Sequence, residues 1–164
     1  MCGCEVVVGH VNRRRFWQRK VTTQQSLPWA SKQFYDHCTR CGDCIPACET
    51  DVIIKGEGGF PVVDFSRGEC TYCQQCVQAC RQAGVFEPCS SKAWSHQVRI
   101  RDDKCLTFKQ VECRSCSDCC EAQAIRFPLR LGEQAQPNVD AEQCNGCGAC
   151  IAVCPVQAIE VSQG

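Results

Sequence analysis

The chain has 164 residues, of which 20 are cysteine, 18 are lysine or arginine and 18 are aspartate or glutamate. Cysteine makes up about 12% of the chain, above the roughly 8–10% that marks proteins held together by sulfur chemistry. The balanced charge argues against a nucleic-acid-binding protein that depends on bulk positive charge. Because no run approaches the 18 or so consecutive apolar residues of a membrane helix, the sequence predicts no membrane span.

The apolar content is too low for an ordinary hydrophobic core. Hydrophobic residues form 44% of the chain, but that class includes cysteine. The remaining apolar residues amount to roughly 32%, well below the usual share. A chain with so small a core needs cross-links or metal centres to fold. The length allows one domain or two small ones.

The N-terminal segment is basic, whereas the rest of the chain carries more acidic than basic residues. Arg13, Arg14 and Phe16 resemble part of a twin-arginine export signal, but the residues after them are polar where such a signal needs about 7–15 apolar ones. We therefore predict a cytoplasmic protein whose cysteines are metal ligands rather than disulfides, with an export signal as the alternative. The basic N-terminal arm, residues 1–28, is either a solvated tail or a docking segment for a partner.

Three cysteine runs share one spacing, in which two residues separate the first three cysteines and three residues precede the fourth. This is the bacterial [4Fe-4S] run, and four soft thiolates so close together suit an iron–sulfur cluster. Structural zinc sites more often place ligand pairs roughly 12–20 residues apart, so a zinc protein is the less favoured alternative. The runs are Cys38, Cys41, Cys44 and Cys48; Cys70, Cys73, Cys76 and Cys80; and Cys144, Cys147, Cys150 and Cys154.

A fourth, irregular set lies between residues 105 and 120, where five cysteines compete for four places. A regular run starting at Cys113 would need its fourth cysteine at position 123, which is Gln123. The set that ends at Cys120 keeps the last two gaps of the other runs, and it places an Ala-Ile pair four residues later, as Cys154 does. We therefore favour Cys120 over Cys119. The predicted irregular set is Cys105, Cys113, Cys116 and Cys120.

Four cysteines remain outside these sets, and the sequence indicates no role for them. They are Cys2, Cys4, Cys89 and Cys119. An enzyme is also not indicated, because His10, His37 and His96 are not paired with a nucleophile and no phosphate-binding loop is present. His37 precedes Cys38 directly, so it either donates a hydrogen bond near a cluster or is an exposed imidazole.

Short β-like segments flank each run, which predicts an α+β fold of tandem bacterial-ferredoxin-like modules with short strands and short helices around [4Fe-4S] clusters. The predicted strands are residues 52–55, 61–64, 98–101, 125–127, 139 and 159–161. Glycines occur only in the first and last loops, so the second and third loops are expected to bind less ideally or to lie in a different electrostatic field. The predicted divisions are the arm, repeats at 29–58 and 59–90, an irregular repeat with its joint at 91–130, and a repeat at 135–164.

The gaps between successive runs are similar, so neighbouring repeats are expected to pair alike. In two-cluster ferredoxins the fourth cysteine of each run ligates the other cluster. The sequence therefore predicts two modules, joined by residues 84–104, with Trp94 packed between them. It also predicts three clusters from the regular runs and a fourth from the irregular set. The predicted ligand sets are Cys38, Cys41, Cys44 and Cys80; Cys70, Cys73, Cys76 and Cys48; Cys105, Cys113, Cys116 and Cys154; and Cys144, Cys147, Cys150 and Cys120.

Nearly the whole chain resembles the NapF family, the ferredoxin-type proteins of the periplasmic nitrate reductase system. The resemblance rests on Pro28-Trp29, HCTRCGDC (37–44), GGFP (58–61), VECRSC (111–116) and CNGCGAC (144–150). It implies a cytoplasmic protein without an active site of its own. It also implies a partner, the nitrate reductase catalytic subunit precursor, whose iron–sulfur centre the family helps to load or reduce before export. The alternative is a soluble electron carrier between a reductase and an acceptor enzyme.

Overall fold

The computed structural model of the chain describes residues 24–90, 92–94, 96–129, 131–132 and 134–163. Most of the predicted basic arm, with Cys2, Cys4 and His10, lies outside the described residues. No helix in the described part of the chain has the length and apolar character needed to cross a membrane.

The elements are short and alternate along the chain. The strands are β1 (Gln24–Gln25), β2 (Ile53–Lys55), β3 (Pro61–Asp64), β4 (His96–Ile100), β5 (Ile125–Arg126), β6 (Asn138–Val139) and β7 (Ile159–Gln163). The helices are α1 (Phe34–His37), α2 (Gln75–Gln78), α3 (Ser115–Asp118) and α4 (Ala149–Ala152), and two 3-10 turns span Glu57–Gly59 and Thr107–Lys109. Each of the six predicted strands overlaps an observed one, although the strands before the third run and after the fourth are longer than expected.

Module 1, residues 24–90, contains a three-stranded antiparallel sheet in the order β1-β3-β2. Ile53 pairs with Val63 and Lys55 with Pro61, so β2 and β3 join the end of the first run to the start of the second. Val63 and Phe65 point their side chains into the interior and are almost fully buried. A single antiparallel bridge, Ala30 to Phe86, links the two ends of the module.

Module 2, residues 96–163, contains two separate antiparallel pairs. The outer pair joins β4 to β7 over five residues, from His96 opposite Gln163 to Ile100 opposite Ile159. The inner pair joins β5 to β6, with Ile125 opposite Val139. The inner pair occupies the same place between two cysteine runs as the β2–β3 pair in module 1, so the two modules repeat one plan of strand, cysteine loop, helical turn and strand.

The cysteine loops and the hydrophobic side chains form one core. Cys44, Cys76, Cys144 and Cys150 are buried together with residues of the strands. Trp94 lies between the modules, 3% exposed, with its ring 5.7 Å from Phe65 and 4.7 Å from His96. The predicted packing of Trp94 between the modules is therefore confirmed.

Candidate iron–sulfur sites

The structure brings the sixteen predicted cysteines together in four cavities, two in each module. Cavities 1, 2, 3 and 4 have volumes of about 360, 350, 350 and 310 Å³ including their open mouths. The thiols are Cys38, Cys41, Cys44 and Cys80 in cavity 1; Cys70, Cys73, Cys76 and Cys48 in cavity 2; Cys105, Cys113, Cys116 and Cys154 in cavity 3; and Cys144, Cys147, Cys150 and Cys120 in cavity 4. Each grouping of thiols agrees with the reciprocal sets predicted from the sequence.

The fourth cysteine of each run reaches the other cavity because a helical turn carries it there. The N–H of Cys48 donates to Ile45, and the N–H groups of Cys80 and Cys154 donate to Val77 and Ile151, each three residues earlier. The chain turns away from its own cavity over these residues, and the fourth thiol therefore lies against the neighbouring run.

The irregular run repeats this turn at Cys120 and not at Cys119. The N–H of Cys120 donates to the Ser117 carbonyl, and that of Ser117 to the Arg114 carbonyl, as in the other three runs. Cys120 lines cavity 4, whereas the Cys119 thiol points back and donates to the Cys116 carbonyl at 3.5 Å. The longer first gap, which follows Cys105, includes the 3-10 turn at Thr107–Lys109. The geometry thus agrees with the preference for Cys120.

The three regular loops share one backbone path, whether or not they contain glycine. Gly146 and Gly148 in the last run have φ of 81° and 85°. Tyr72 and Gln74, at the same places in the second run, have φ of 60° and 63°. The absence of glycine therefore leaves the backbone path of the second loop unchanged. The cost is that Tyr72 and Gln74 adopt a left-handed backbone conformation that is rare for residues other than glycine.

Burial raises the pKa of several thiols that line the cavities. Desolvation raises the pKa of Cys44 and Cys70 to about 11 and that of Cys76 and Cys116 to about 12. Burial raises the pKa of Cys48 as well, but hydrogen bonds from the Thr50 hydroxyl and nearby backbone N–H groups outweigh it and lower the pKa overall. Without a metal centre the thiols with raised pKa values hold their protons at neutral pH, so metal binding at Cys44, Cys70, Cys76 and Cys116 releases protons.

Side-chain hydroxyls lie beside three of the sulfurs. The hydroxyl of Thr107 lies 3.1 Å from Cys105 Sγ and that of Thr50 lies 3.5 Å from Cys48 Sγ. A looser contact of 3.8 Å joins Ser115 to Cys113. Cysteine spacing alone did not predict these hydroxyls, although a sequence signal exists because each lies two residues after a ligand cysteine.

Other residues considered from the sequence lie away from the cavities or serve the framework. His37 is exposed, shares a 3.2 Å hydrogen bond with Gln33 and is not among the residues that line the four cavities. His96 is buried and pairs with the Gly146 carbonyl at 3.2 Å. Burial lowers the pKa of His96. Neither Cys89 nor Cys119 is among the residues that line the four cavities.

The donor set of each cavity fits an iron–sulfur cluster. Four thiols surround a shared space instead of meeting at one point, and within the described residues no three His, Cys, Asp or Glu side chains are placed to hold a single metal ion. The described cysteines form no disulfides. Apolar side chains such as Val85, Ile53 and Ile159 complete the walls, which limits the access of water to the group.

Two segments of the chain match family models for a 4Fe-4S dicluster domain, residues 37–86 and residues 111–158. Each match covers one module, so the chain contains two tandem 4Fe-4S dicluster domains and binds [4Fe-4S] clusters. The match in module 2 begins within the irregular run, after Cys105 and before Cys113.

Full-length similarity to known proteins is more specific. The chain is 44% identical to the ferredoxin-type protein NapF of Haemophilus influenzae over 96% of this chain and 97% of that protein. It is 45% identical to the ferredoxin-type protein NapF of Escherichia coli K12 over 86% of each. It is also 38% identical to one component of an ion-translocating oxidoreductase complex of Methanosarcina acetivorans, over 76% of this chain and 46% of that protein. With both modules and their cysteine sets inside the aligned length, the chain belongs to the NapF family of ferredoxin-type proteins.

Proposed function

We propose that the chain binds four [4Fe-4S] clusters, one in each cavity, with the sixteen cysteines as ligands. The observation that carries this is the grouping of four thiols around each of four cavities of similar volume. The proposal includes a cluster in cavity 3, because Cys105 and Cys154 reach that cavity despite the longer first gap of the irregular run.

A bound [4Fe-4S] cluster stores and releases one electron. The chain's own contribution is to fix four sulfurs, to enclose them in an apolar wall and to place hydrogen-bond donors beside some of them. These three features are the ones by which a protein sets the potential of such a group. The chain is proposed to have no active site of its own.

The proposed role is in maturation. The protein acts in the cytoplasm on the catalytic subunit precursor of the periplasmic nitrate reductase, and helps to load or reduce its iron–sulfur centre before export. Membership of the NapF family supports this role. A further relative, the ferredoxin-type protein NapG of Escherichia coli K12, is 27% identical over 76% of this chain.

A plain electron carrier between a reductase and an acceptor enzyme is the second candidate. The relative in an ion-translocating oxidoreductase complex favours it, because that protein is named as part of a redox complex. Both candidates need the same clusters, so only the partner distinguishes them.

Two measurements test the proposal. Iron and acid-labile sulfide in anaerobically purified protein should each reach about sixteen per chain, since each cluster holds four of both. About twelve of each would mean that one cavity stays empty. The tagged protein should capture the catalytic subunit precursor from cytoplasmic extract, and cells that lack the gene should make that subunit with its iron–sulfur centre incomplete or unreduced. If the precursor is not captured and the subunit is fully loaded without the gene, the maturation role is wrong.

A further inference from the structure

The two modules meet through the second and the fourth cysteine runs. The backbone N–H of Cys70 donates to the Cys147 carbonyl at 2.9 Å, and the Tyr72 hydroxyl donates to the Asn145 carbonyl at 2.8 Å. Cys70 and Tyr72 line cavity 2, whereas Asn145 and Cys147 line cavity 4. These two cavities, one in each module, therefore have adjoining walls.

Tight packing surrounds this contact. Phe65 of module 1 is fully buried, with its ring 5.8 Å from that of His96 in module 2. A side chain at Gly148 would begin 2.0 Å from the Phe65 ring, so only glycine allows the fourth loop to approach module 1 this closely. Such a junction leaves no room for the modules to slide against each other.

Tyr72 is held as a hydrogen-bond donor at this junction. Its hydroxyl donates to the Asn145 carbonyl, which lies 73 residues away in the sequence and belongs to the other module. A tyrosine replaces the glycine found at the equivalent position of the fourth run, Gly146, and its side chain spans from one module to the other.

The remaining neighbours follow from the shared thiols. Cavities 1 and 2 exchange Cys80 and Cys48, and cavities 3 and 4 exchange Cys120 and Cys154. With the junction between cavities 2 and 4, the four sites fall in one order, cavity 1, cavity 2, cavity 4, cavity 3. This order differs from the order of the runs along the chain.

We propose that the junction of Cys70 and Tyr72 with Cys147 and Asn145 couples the clusters of cavities 2 and 4, so that electrons can pass from one module to the other. Tyr72 is the positioning residue that holds this junction together. This inference rests on the proposed occupancy of cavities 2 and 4 by [4Fe-4S] clusters. The row of four sites then has two ends, at cavity 1 and at cavity 3, and the junction links the cavities of the two modules.

Electron paramagnetic resonance of the fully reduced, full-length holoprotein tests the order. Spin–spin interaction between the modules should be lost in Cys73→Ser, which removes a ligand of cavity 2. It should persist in the matched variant Cys41→Ser, which removes a ligand of cavity 1. Equal interaction in the two variants would overturn the proposed order.

Tyr72→Phe tests the positioning role with every ligand in place. Loss of the hydroxyl should weaken the spin–spin interaction between the modules and speed amide exchange at Cys70 by about tenfold, the change expected from loss of one buried hydrogen bond. Tyr35→Phe is the control, because Tyr35 is 62% exposed and contacts Phe34 and Phe60 through its ring. If Tyr72→Phe matches the control in both readouts, the positioning role is wrong.

Iron content separates the two proposals. A chain with about sixteen iron atoms but no interaction between the modules refutes the junction and leaves the proposed function intact. A chain whose cavity 2 or cavity 4 takes up no cluster refutes both.

Discussion

Modules 1 and 2 repeat the same inner strand pair but close their outer edge differently. In module 2 the outer edge is a ladder of five paired residues between β4 and β7. In module 1 the same place holds the single bridge of Ala30 and Phe86, with flanking backbone bonds from Ser31 to Val85 and from Glu87 to Trp29.

Module 1 compensates for its shorter outer strand pairing with larger buried side chains. Module 1 buries Leu27, Trp29, Phe34 and Phe65, which are large. Module 2 buries mostly small or β-branched residues, namely Val98, Ala124, Ile125, Ala149, Ile151, Ala158 and Ile159. One module is therefore held by aromatic packing and the other by a longer backbone ladder, and module 2 depends more heavily on its metal centres for a core.

Removal of iron should have the largest effect, and it should unfold module 2 more readily than module 1. Anaerobic chelation is expected to abolish most of the native far-ultraviolet circular dichroism, because the cavities lie at the centre of each core. Hydrogen exchange should become fast first in β5 and β7 of module 2, while β2 and β3 keep partial protection from the packing of Leu27 and Phe34 within module 1. A cooperative native fold in the iron-free chain, or longer protection of module 2, would contradict this account.

In the irregular run, substitution of Cys120 should remove one cluster, whereas substitution of the adjacent Cys119 should remove none. Cys120→Ser takes a thiol from cavity 4 and should lower iron from about sixteen to about twelve atoms per chain. Cys119→Ser should leave the iron content unchanged, since the Cys119 thiol contacts only the Cys116 carbonyl among the polar groups described. Iron and sulfide analysis of both variants decides the register, and the reverse pattern would show that the register is wrong.

Local spacing was sufficient to predict which thiols share a cavity, because each run places its cysteines within one loop and one helical turn. It was also sufficient at Cys120, where the position of the Ala-Ile pair matched that after Cys154. It was not sufficient for the junction, because the bond from Tyr72 to Asn145 spans 73 residues of sequence. Nor could glycine content predict the second loop, since Tyr72 and Gln74 adopt the left-handed backbone without it.

The two modules should respond alike to the pH at which clusters assemble. Ligand thiols must lose their protons to bind iron, and raised pKa values make this harder as the pH falls. Burial raises the pKa of Cys44, Cys70 and Cys76 in module 1 and of Cys116 and Cys150 in module 2. Reconstitution with iron and sulfide at pH 6 and pH 8 should therefore fill both modules less completely at the lower pH, as read by iron content and hydrogen exchange. A loss confined to one module would contradict this expectation.

The smallest predicted effect concerns the hydroxyl in the irregular run. Toward a thiolate the Thr107 hydroxyl can only donate, and a donor beside Cys105 Sγ stabilises the more negative, reduced state. Thr107 is 1% exposed, so water cannot replace the lost donor in Thr107→Val. The potential of the centre in cavity 3 should fall by on the order of 50 mV, close to a tenfold change in a one-electron equilibrium. Ser117→Ala is the control, since that hydroxyl donates to the Ile125 carbonyl rather than to a sulfur. A redox titration followed by electron paramagnetic resonance should show a shifted potential only in Thr107→Val. Equal potentials in the two variants would mean that the Thr107 hydroxyl, in the longer first gap of the irregular run, does not tune the centre in cavity 3.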